Sequence, residues 1–138
     1  MFGTVSTRPD GRVELRFERW FPHSRDKVWR ALTERDELRR WFVEILDYDH
    51  STLTFTQGAT LTFVAAGHPA GRGEVLTSDR PVLLEYTWDD EHLRWELTEE
   101  DNGCRLVFTN TMADPEVAAA VDEGWQAGLE RLADALDL

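Results

Sequence analysis

The sequence is short of several features, and each shortage excludes a class of protein. Its single cysteine, Cys104, permits neither an intramolecular disulfide nor a cysteine-based zinc site. Because Cys104 falls within a strand pattern, we expect a buried and unreactive thiol. No apolar run approaches the roughly 18 residues of a membrane-spanning helix. Residues 1–19 contain no uninterrupted apolar segment like that of a secretory signal, so we expect a cytoplasmic protein.

Positive charge is also scarce. The chain has 15 Lys and Arg residues against 27 Asp and Glu, which gives a formal net charge of −12 at pH 7. A surface of this sign repels phosphate groups, so we expect neither nucleic acid nor an anionic membrane as a partner. The length of 138 residues suits one domain. We therefore treat residues 1–138 as a single domain with its core at about residues 12–137.

Motifs for catalysis and metal binding are missing too. The four histidines show no H-x-x-x-H or H-E-x-x-H spacing, and no G-x-S-x-G is present. Asp47, Asp49 and His50 crowd together, but a solvated turn explains them better than a metal site. The sequence therefore predicts no catalytic residue, no metal and no cofactor, although a triad assembled in space stays open.

Alternating apolar residues predict a series of strands. Val13, Leu15 and Phe17 alternate with charged residues, as in a strand with one buried face. Ser24 then fits the N-cap of a first short helix, and a second short helix carries Leu38, Trp41 and Phe42. After the second helix, apolar residues again occupy alternate positions and indicate about six more strands. The residues expected to face inward are Leu53 and Phe55; Leu61, Phe63 and Ala65; Leu84, Tyr86 and Trp88; Leu93, Trp95 and Leu97; Leu106, Phe108 and Asn110. The turns between them include residues 67–73, the acidic run 89–91, and Asp101-Asn102-Gly103, a strong hairpin signal.

The last segment, residues 114–138, predicts one long helix. Asp114 and Pro115 suit its start, and an apolar arc about 120° wide follows at helical spacing. The arc contains Val117, Val121, Trp125, Gly128, Leu129, Leu132 and Leu136. Gly124 and Gly128 lie at its edge, where two helix-weakening glycines indicate a close approach by another group. This helix is long enough to cover the apolar face of an antiparallel sheet, so the fold class is α+β.

Four segments in this order resemble a known superfamily. They are Phe21-Pro22 with residues 28–33 and Trp41-Phe42; residues 73–76; residues 84–88; and Gly124-Trp125 with Leu129 and Leu132. Together they resemble the helix-grip fold of the START-like (SRPBCC, polyketide-cyclase and Bet v) superfamily. Within it the chain is similar to bacterial relatives of the C-terminal domain of Aha-type activators of the ninety-kilodalton heat-shock-protein ATPase.

The resemblance implies a curved sheet of six to seven strands around the C-terminal helix, two short helices after the first strand, and a cavity between sheet and helix. Members bind hydrophobic or amphipathic small molecules, and some are cyclases, hydrolases or nucleases. We therefore predict a small hydrophobic ligand in the cavity. The predicted ligand-binding residues are Phe17, Trp41, Phe55, Phe63, Tyr86, Trp88, Trp95, Phe108, Asn110, Val121, Trp125 and Leu132.

Three functions stay open at this point. The first is non-catalytic binding in the cavity, with Tyr86, Trp88, Trp95 and Asn110 as its polar groups. The second is a protein-interaction module with a chaperone or another protein as partner. The third is an enzyme, for which Tyr86 is the only plausible acid or base in the inward rows, and its ordinary pKa of about 10 is far from neutral. The chain is expected to be a monomer or a homodimer, since an edge strand at residues 52–56 could pair two copies.

Overall fold

The computed structural model describes residues 2–138, which form one seven-stranded antiparallel sheet and three α-helices. The elements, in chain order, are β1 (Thr4–Thr7), β2 (Val13–Phe21), α1 (Arg25–Thr33), α2 (Arg35–Trp41), β3 (Thr60–Phe63), β4 (Gly71–Asp79), β5 (Leu83–Trp88), β6 (Glu91–Glu100), β7 (Gly103–Met112) and α3 (Ala118–Leu136). A short 3-10 turn, Pro115–Val117, leads into α3. The α+β helix-grip prediction is confirmed.

The sheet follows from its alternating residues and its tight hairpins. The strand order is β1-β2-β7-β6-β5-β4-β3, so β1 and β3 are the edges. Asp101 and Asn102 adopt positive φ angles of 51° and 61° before Gly103, as a two-residue hairpin turn requires. The inward rows of β2, β6 and β7 are buried as predicted. A register shift between Val75 and Thr77 bends β4, because a bulge increases the local twist of a strand.

The helix α3 is fastened to the rest of the fold at both ends. Near its start, the buried Asp122 accepts hydrogen bonds from the backbone N–H groups of Phe2 (2.9 Å) and Gly3 (2.6 Å). Near its end, the ammonium group of Lys27 donates to the Leu136 carbonyl. These contacts hold α3 over the concave face of the sheet. None of the helices in residues 2–138 is long and apolar enough to cross a membrane.

The structure corrects four expectations. Residues 4–7 form strand β1, so α1 and α2 follow the second strand and not the first. Leu53 and Phe55 are buried, but residues 52–56 form no strand and make only one isolated bridge, between Thr52 and Thr62. Residues 71–73 begin β4 instead of lying in a loop. Val117 precedes α3 and is 44% exposed, so it does not belong to the buried arc.

Candidate functional site

A cavity of about 230 Å³ lies between α3 and one end of the sheet. One wall is the middle of α3, the floor comes from β5, β6 and β7, and the end of α2 closes a side. The lining is mainly apolar and consists of Trp41, Phe42, Val43, Trp88, Glu91, Leu93, Asn110, Val121, Gly124, Trp125, Gly128 and Arg131.

Five of the twelve predicted binding residues line this cavity, and seven lie in the packed core around it. Those in the lining are Trp41, Trp88, Asn110, Val121 and Trp125. Those in the core are Phe17, Phe55, Phe63, Tyr86, Trp95, Phe108 and Leu132, all at most 8% exposed. The rings fill the middle of the fold efficiently, since Trp95 stacks on Phe108 with centroids 3.8 Å apart. These seven side chains therefore fill the core, and the cavity lies beside them at one end of the sheet.

Four aromatic rings form one side of the cavity, with Phe42 at their centre. The Phe42 ring centroid lies 5.3 Å from that of Trp41, 6.2 Å from that of Trp88 and 5.8 Å from that of Trp125. Trp88 is also stacked on Phe63 at 3.9 Å. We refer to Trp41, Phe42, Trp88 and Trp125 as the aromatic wall. Contacts among its rings hold these side chains in place.

The glycines of β4 make the position of Trp88 possible. A Cβ atom at Gly71 would lie 2.8 Å from Trp88 Nε1, and one at Gly73 would lie 1.8 Å from the Thr87 carbonyl oxygen. Only glycine at these two positions therefore allows β4 to pass so close to β5 and Trp88. On α3, by contrast, a Cβ at Gly124 would meet nothing within 4 Å. The expected close approach at Gly124 is wrong, and this glycine leaves space at the cavity.

A chain of three polar side chains crosses the cavity. Trp125 Nε1 donates to Asn110 Oδ1 at 2.9 Å, and Asn110 Nδ2 donates to Glu91 Oε1 at 3.1 Å. Because the amide oxygen is taken by Trp125, the amide nitrogen must face Glu91. Asn110 is 1% exposed, so these bonds also satisfy a buried amide.

Glu91 is the titratable residue that the sequence reasoning missed. Burial raises the pKa of this carboxyl above its ordinary value, the hydrogen bond from Asn110 opposes that rise, and the charges of Asp90 and Asp89 add to it. The sequence pattern predicts a turn at the acidic run 89–91, whereas Glu91 begins strand β6. The signal that could have identified Glu91 is its parity, because it shares the inward face of β6 with Leu93 and Trp95.

The other charged residue of the lining is Arg131 on α3. Its Nε donates to the Trp41 carbonyl at 3.1 Å and its Nη2 to the Phe42 carbonyl at 3.3 Å. Its Nη1 lies 3.4 Å from a carboxylate oxygen of Glu44. Arg131 therefore satisfies the carbonyl groups at the end of α2 and ties α2 to α3.

The remaining polar residues named in the sequence lie outside the cavity. Tyr86 is fully buried, and its hydroxyl accepts from Trp95 Nε1 at 3.2 Å; burial raises the pKa of this phenol further. Asp47 and His50 pair with each other in an exposed turn, and Asp49 pairs with Arg39. Within residues 2–138 no three His, Cys, Asp or Glu side chains converge as metal ligands do.

A curved antiparallel sheet that holds a long C-terminal helix over a cavity defines the helix-grip class of proteins. Sequence comparison assigns the chain more closely. Residues 22–137 match the family described as Activator of Hsp90 ATPase homolog 1-like protein. The match covers most of the chain, and the protein belongs to this family. No curated protein matches the chain significantly.

Solved structures share the fold at low sequence identity. EF2215 from Enterococcus faecalis, a conserved protein of unknown function, superposes with a TM-score of 0.79 and 22% identity over 97% of this chain and 76% of its own. MLL2253 from Mesorhizobium loti superposes with a TM-score of 0.76 and 23% identity over 90% of this chain and 96% of its own. DynU16, a putative protein in the dynemicin biosynthetic locus, superposes with a TM-score of 0.76 and 21% identity over 90% of this chain and 47% of its own. These similarities establish the fold alone.

Proposed function

We propose that the protein binds a small hydrophobic or amphipathic molecule in the cavity under α3. The observation that carries this proposal is an apolar cavity with the aromatic wall on one side and the chain Trp125–Asn110–Glu91 across it. Apolar cavities with a few fixed polar groups are the usual form of small-molecule sites. The volume of about 230 Å³ is small for such a site, which favours a ligand of one or two rings.

A thermal-shift screen tests this proposal. The library contains lipids, aromatic polyketides and hydrophobic metabolites of graded size. A ligand at 100 times its Kd stabilises the fold by about 2.7 kcal/mol, which corresponds to a rise in Tm of about 8 °C in a domain of this length. A saturable shift supports the proposal, and a flat screen across all three classes counts against it.

Trp125→Ala is the variant that connects binding to this cavity. The substitution removes part of the aromatic wall and the indole N–H that orients Asn110, so we expect at least tenfold weaker binding of any ligand found. Trp20→Ala is the matched control, since Trp20 is 48% exposed and lies outside the cavity lining. Affinity is measured calorimetrically on folded protein. Equal affinities of wild type and Trp125→Ala would place the ligand elsewhere.

Family membership supports a second candidate, a protein-interaction module of the chaperone-activator kind. In this case the acidic surface, with a net charge of −12, would dock on a basic surface of the partner. The test is the ATP turnover of a heat-shock protein of the Hsp90 class with and without this protein. An unchanged turnover rate at saturating concentration would exclude this candidate.

Glu91 supports a third candidate, an enzyme that uses the cavity. A carboxyl with a raised pKa is a common general acid or base. Turnover of a bound compound, detected by mass spectrometry and abolished in Glu91→Gln, would support catalysis. Recovery of the compound unchanged from the wild type would leave binding as the function.

A further inference from the structure

We infer that the cavity selects a hydrophobic cation, with its positive nitrogen beside Glu91 and its apolar part against the aromatic wall. The inference rests on the proposed binding function and specifies the chemistry of its ligand. It depends on the charges, hydrogen bonds and rings of the lining.

Glu91 is the charged group of the lining that lacks a counter-ion. Among residues 2–138, no Arg, Lys or His forms an ion pair with its carboxylate. Asn110 Nδ2 donates to Oε1 of Glu91, and no donor within residues 2–138 reaches Oε2. A partly buried carboxylate gains most from a charged partner, because charge-assisted contacts are stronger out of water. A cationic ligand would supply that partner.

Arg131 does not offer the opposite selectivity. Its Nε, Nη1 and Nη2 atoms already face the Trp41 carbonyl, Glu44 and the Phe42 carbonyl. An anionic ligand would have to displace these contacts and would also meet the carboxylate of Glu91. The cavity therefore has an available negative group and an already neutralised positive one.

The aromatic wall suits a cation as well as an apolar body. The face of an aromatic ring attracts a cation within about 6 Å of its centroid, most strongly for Trp. Three of the four rings in the wall are Trp, clustered around Phe42. Trp41 Nε1 donates to the Ala31 carbonyl at 2.8 Å and Trp125 Nε1 to Asn110. These two indole N–H groups are thus satisfied within the protein and require nothing from a ligand.

The surrounding charges point in the same direction. Asp89 and Asp90 precede Glu91 in the β5–β6 turn and make the site more negative, whereas Arg12, the residue before β2, opposes them. Arg131 on α3 is the positive residue of the same lining. Burial and the two aspartates raise the pKa of Glu91. A bound cation lowers that pKa again, so binding should strengthen with rising pH as the carboxyl ionises.

Two probes of the same shape test the inference. Benzyltrimethylammonium is a cation, and neopentylbenzene replaces its nitrogen by carbon without changing the arrangement of atoms. Phenylpropanoate serves as the anionic comparison. Affinities are measured at neutral pH by NMR titration of the Trp125 indole and Asn110 amide signals, which report on the cavity itself. We expect the cation to bind at least tenfold more tightly than neopentylbenzene, and phenylpropanoate to bind most weakly.

Glu91→Gln should reduce the ratio of the affinities for the cation and for neopentylbenzene to less than about threefold, whatever its effect on the affinity for neopentylbenzene alone. Asp90→Asn is the matched control: it removes the same charge from an exposed position in the same turn and should keep most of the preference. Equal binding of the two isosteres, or a preference that survives Glu91→Gln, overturns the inference while leaving hydrophobic binding intact. Failure of all three probes to bind overturns the inference, whereas the library screen decides the proposed function separately.

Discussion

Glu91 has a consequence for stability that does not depend on any ligand. Its pKa is raised in the folded protein from an ordinary value of 4.5. As the pH rises above the ordinary pKa, Glu91 loses its proton in the unfolded chain before it does so in the folded protein. The free energy of unfolding therefore falls as the pH rises towards the raised pKa. Ionised Glu91 thus lowers the free energy of unfolding at neutral pH.

We therefore expect Glu91→Gln to have a higher Tm than wild type at about pH 7. The difference should shrink as the pH falls below the ordinary carboxyl pKa, because wild-type Glu91 is then neutral in both states. Thermal denaturation at a series of pH values measures it, with Asp90→Asn as the control. A variant that is less stable than wild type at neutral pH would contradict this account of Glu91.

Gly124 offers a second test at the scale of one residue. Because a Cβ here would meet nothing within 4 Å, Gly124→Ala should gain helix propensity without a clash. We expect about 1 kcal/mol of added stability and a Tm about 3 °C higher. The added methyl group also narrows the cavity, so affinity for the larger ligands should fall. Lower stability would mean that the space beside Gly124 is not available.

A glycine-to-alanine substitution in β4 should lower the stability of the protein instead of raising it. At Gly73 a Cβ would lie 1.8 Å from a backbone oxygen of Thr87, so β4 and β5 must move apart. We expect Gly73→Ala to destabilise the protein by about 1–3 kcal/mol, the usual range for overpacking. Urea denaturation measures the loss in the free energy of unfolding, with Gly124→Ala measured in parallel for comparison. An unchanged free energy of unfolding would show that the two strands separate without cost.

One side chain of α3 anchors the two residues that precede strand β1. Asp122 accepts the backbone N–H groups of Phe2 and Gly3. Asp122→Ala leaves these donors without a partner, which costs about 1–3 kcal/mol when they stay buried. We expect faster amide exchange throughout residues 4–7, measured by NMR, with unchanged exchange in β6. Protection of β1 equal to that of wild type would mean that pairing with β2 alone holds it.

These elements show which features a sequence pattern can predict. The inward rows of β6 and β7 were predictable because period-two alternation records which face is buried. β1 was not, because Thr4–Thr7 is wholly exposed and carries no such record. Leu53 and Phe55 gave a false strand signal, since an extended segment also buries alternate residues without pairing. The resemblance implied a cavity between sheet and helix, but its position at one end of the sheet was not predictable, because that position depends on where large rings fail to meet.

For the whole molecule we predict a single cooperative unfolding transition. The buried residues form one continuous cluster that includes both short helices, α3 and strands from across the sheet. Circular dichroism and tryptophan fluorescence should therefore report the same midpoint. The calorimetric enthalpy should be near 100 kcal/mol, at about 0.7 kcal/mol per residue. Two separated transitions would contradict the prediction of one domain.

The attachment of α3 at both ends has a thermodynamic consequence. Lys27 holds its last turn, Asp122 its first turns, and Arg131 its middle. A ligand of the proposed kind would therefore enter a site whose walls are already ordered, and little conformational entropy would be lost on binding. The heat capacity change should then reflect only the apolar surface removed from water and be small and negative. Tight binding by this protein would come from preorganisation more than from contact area.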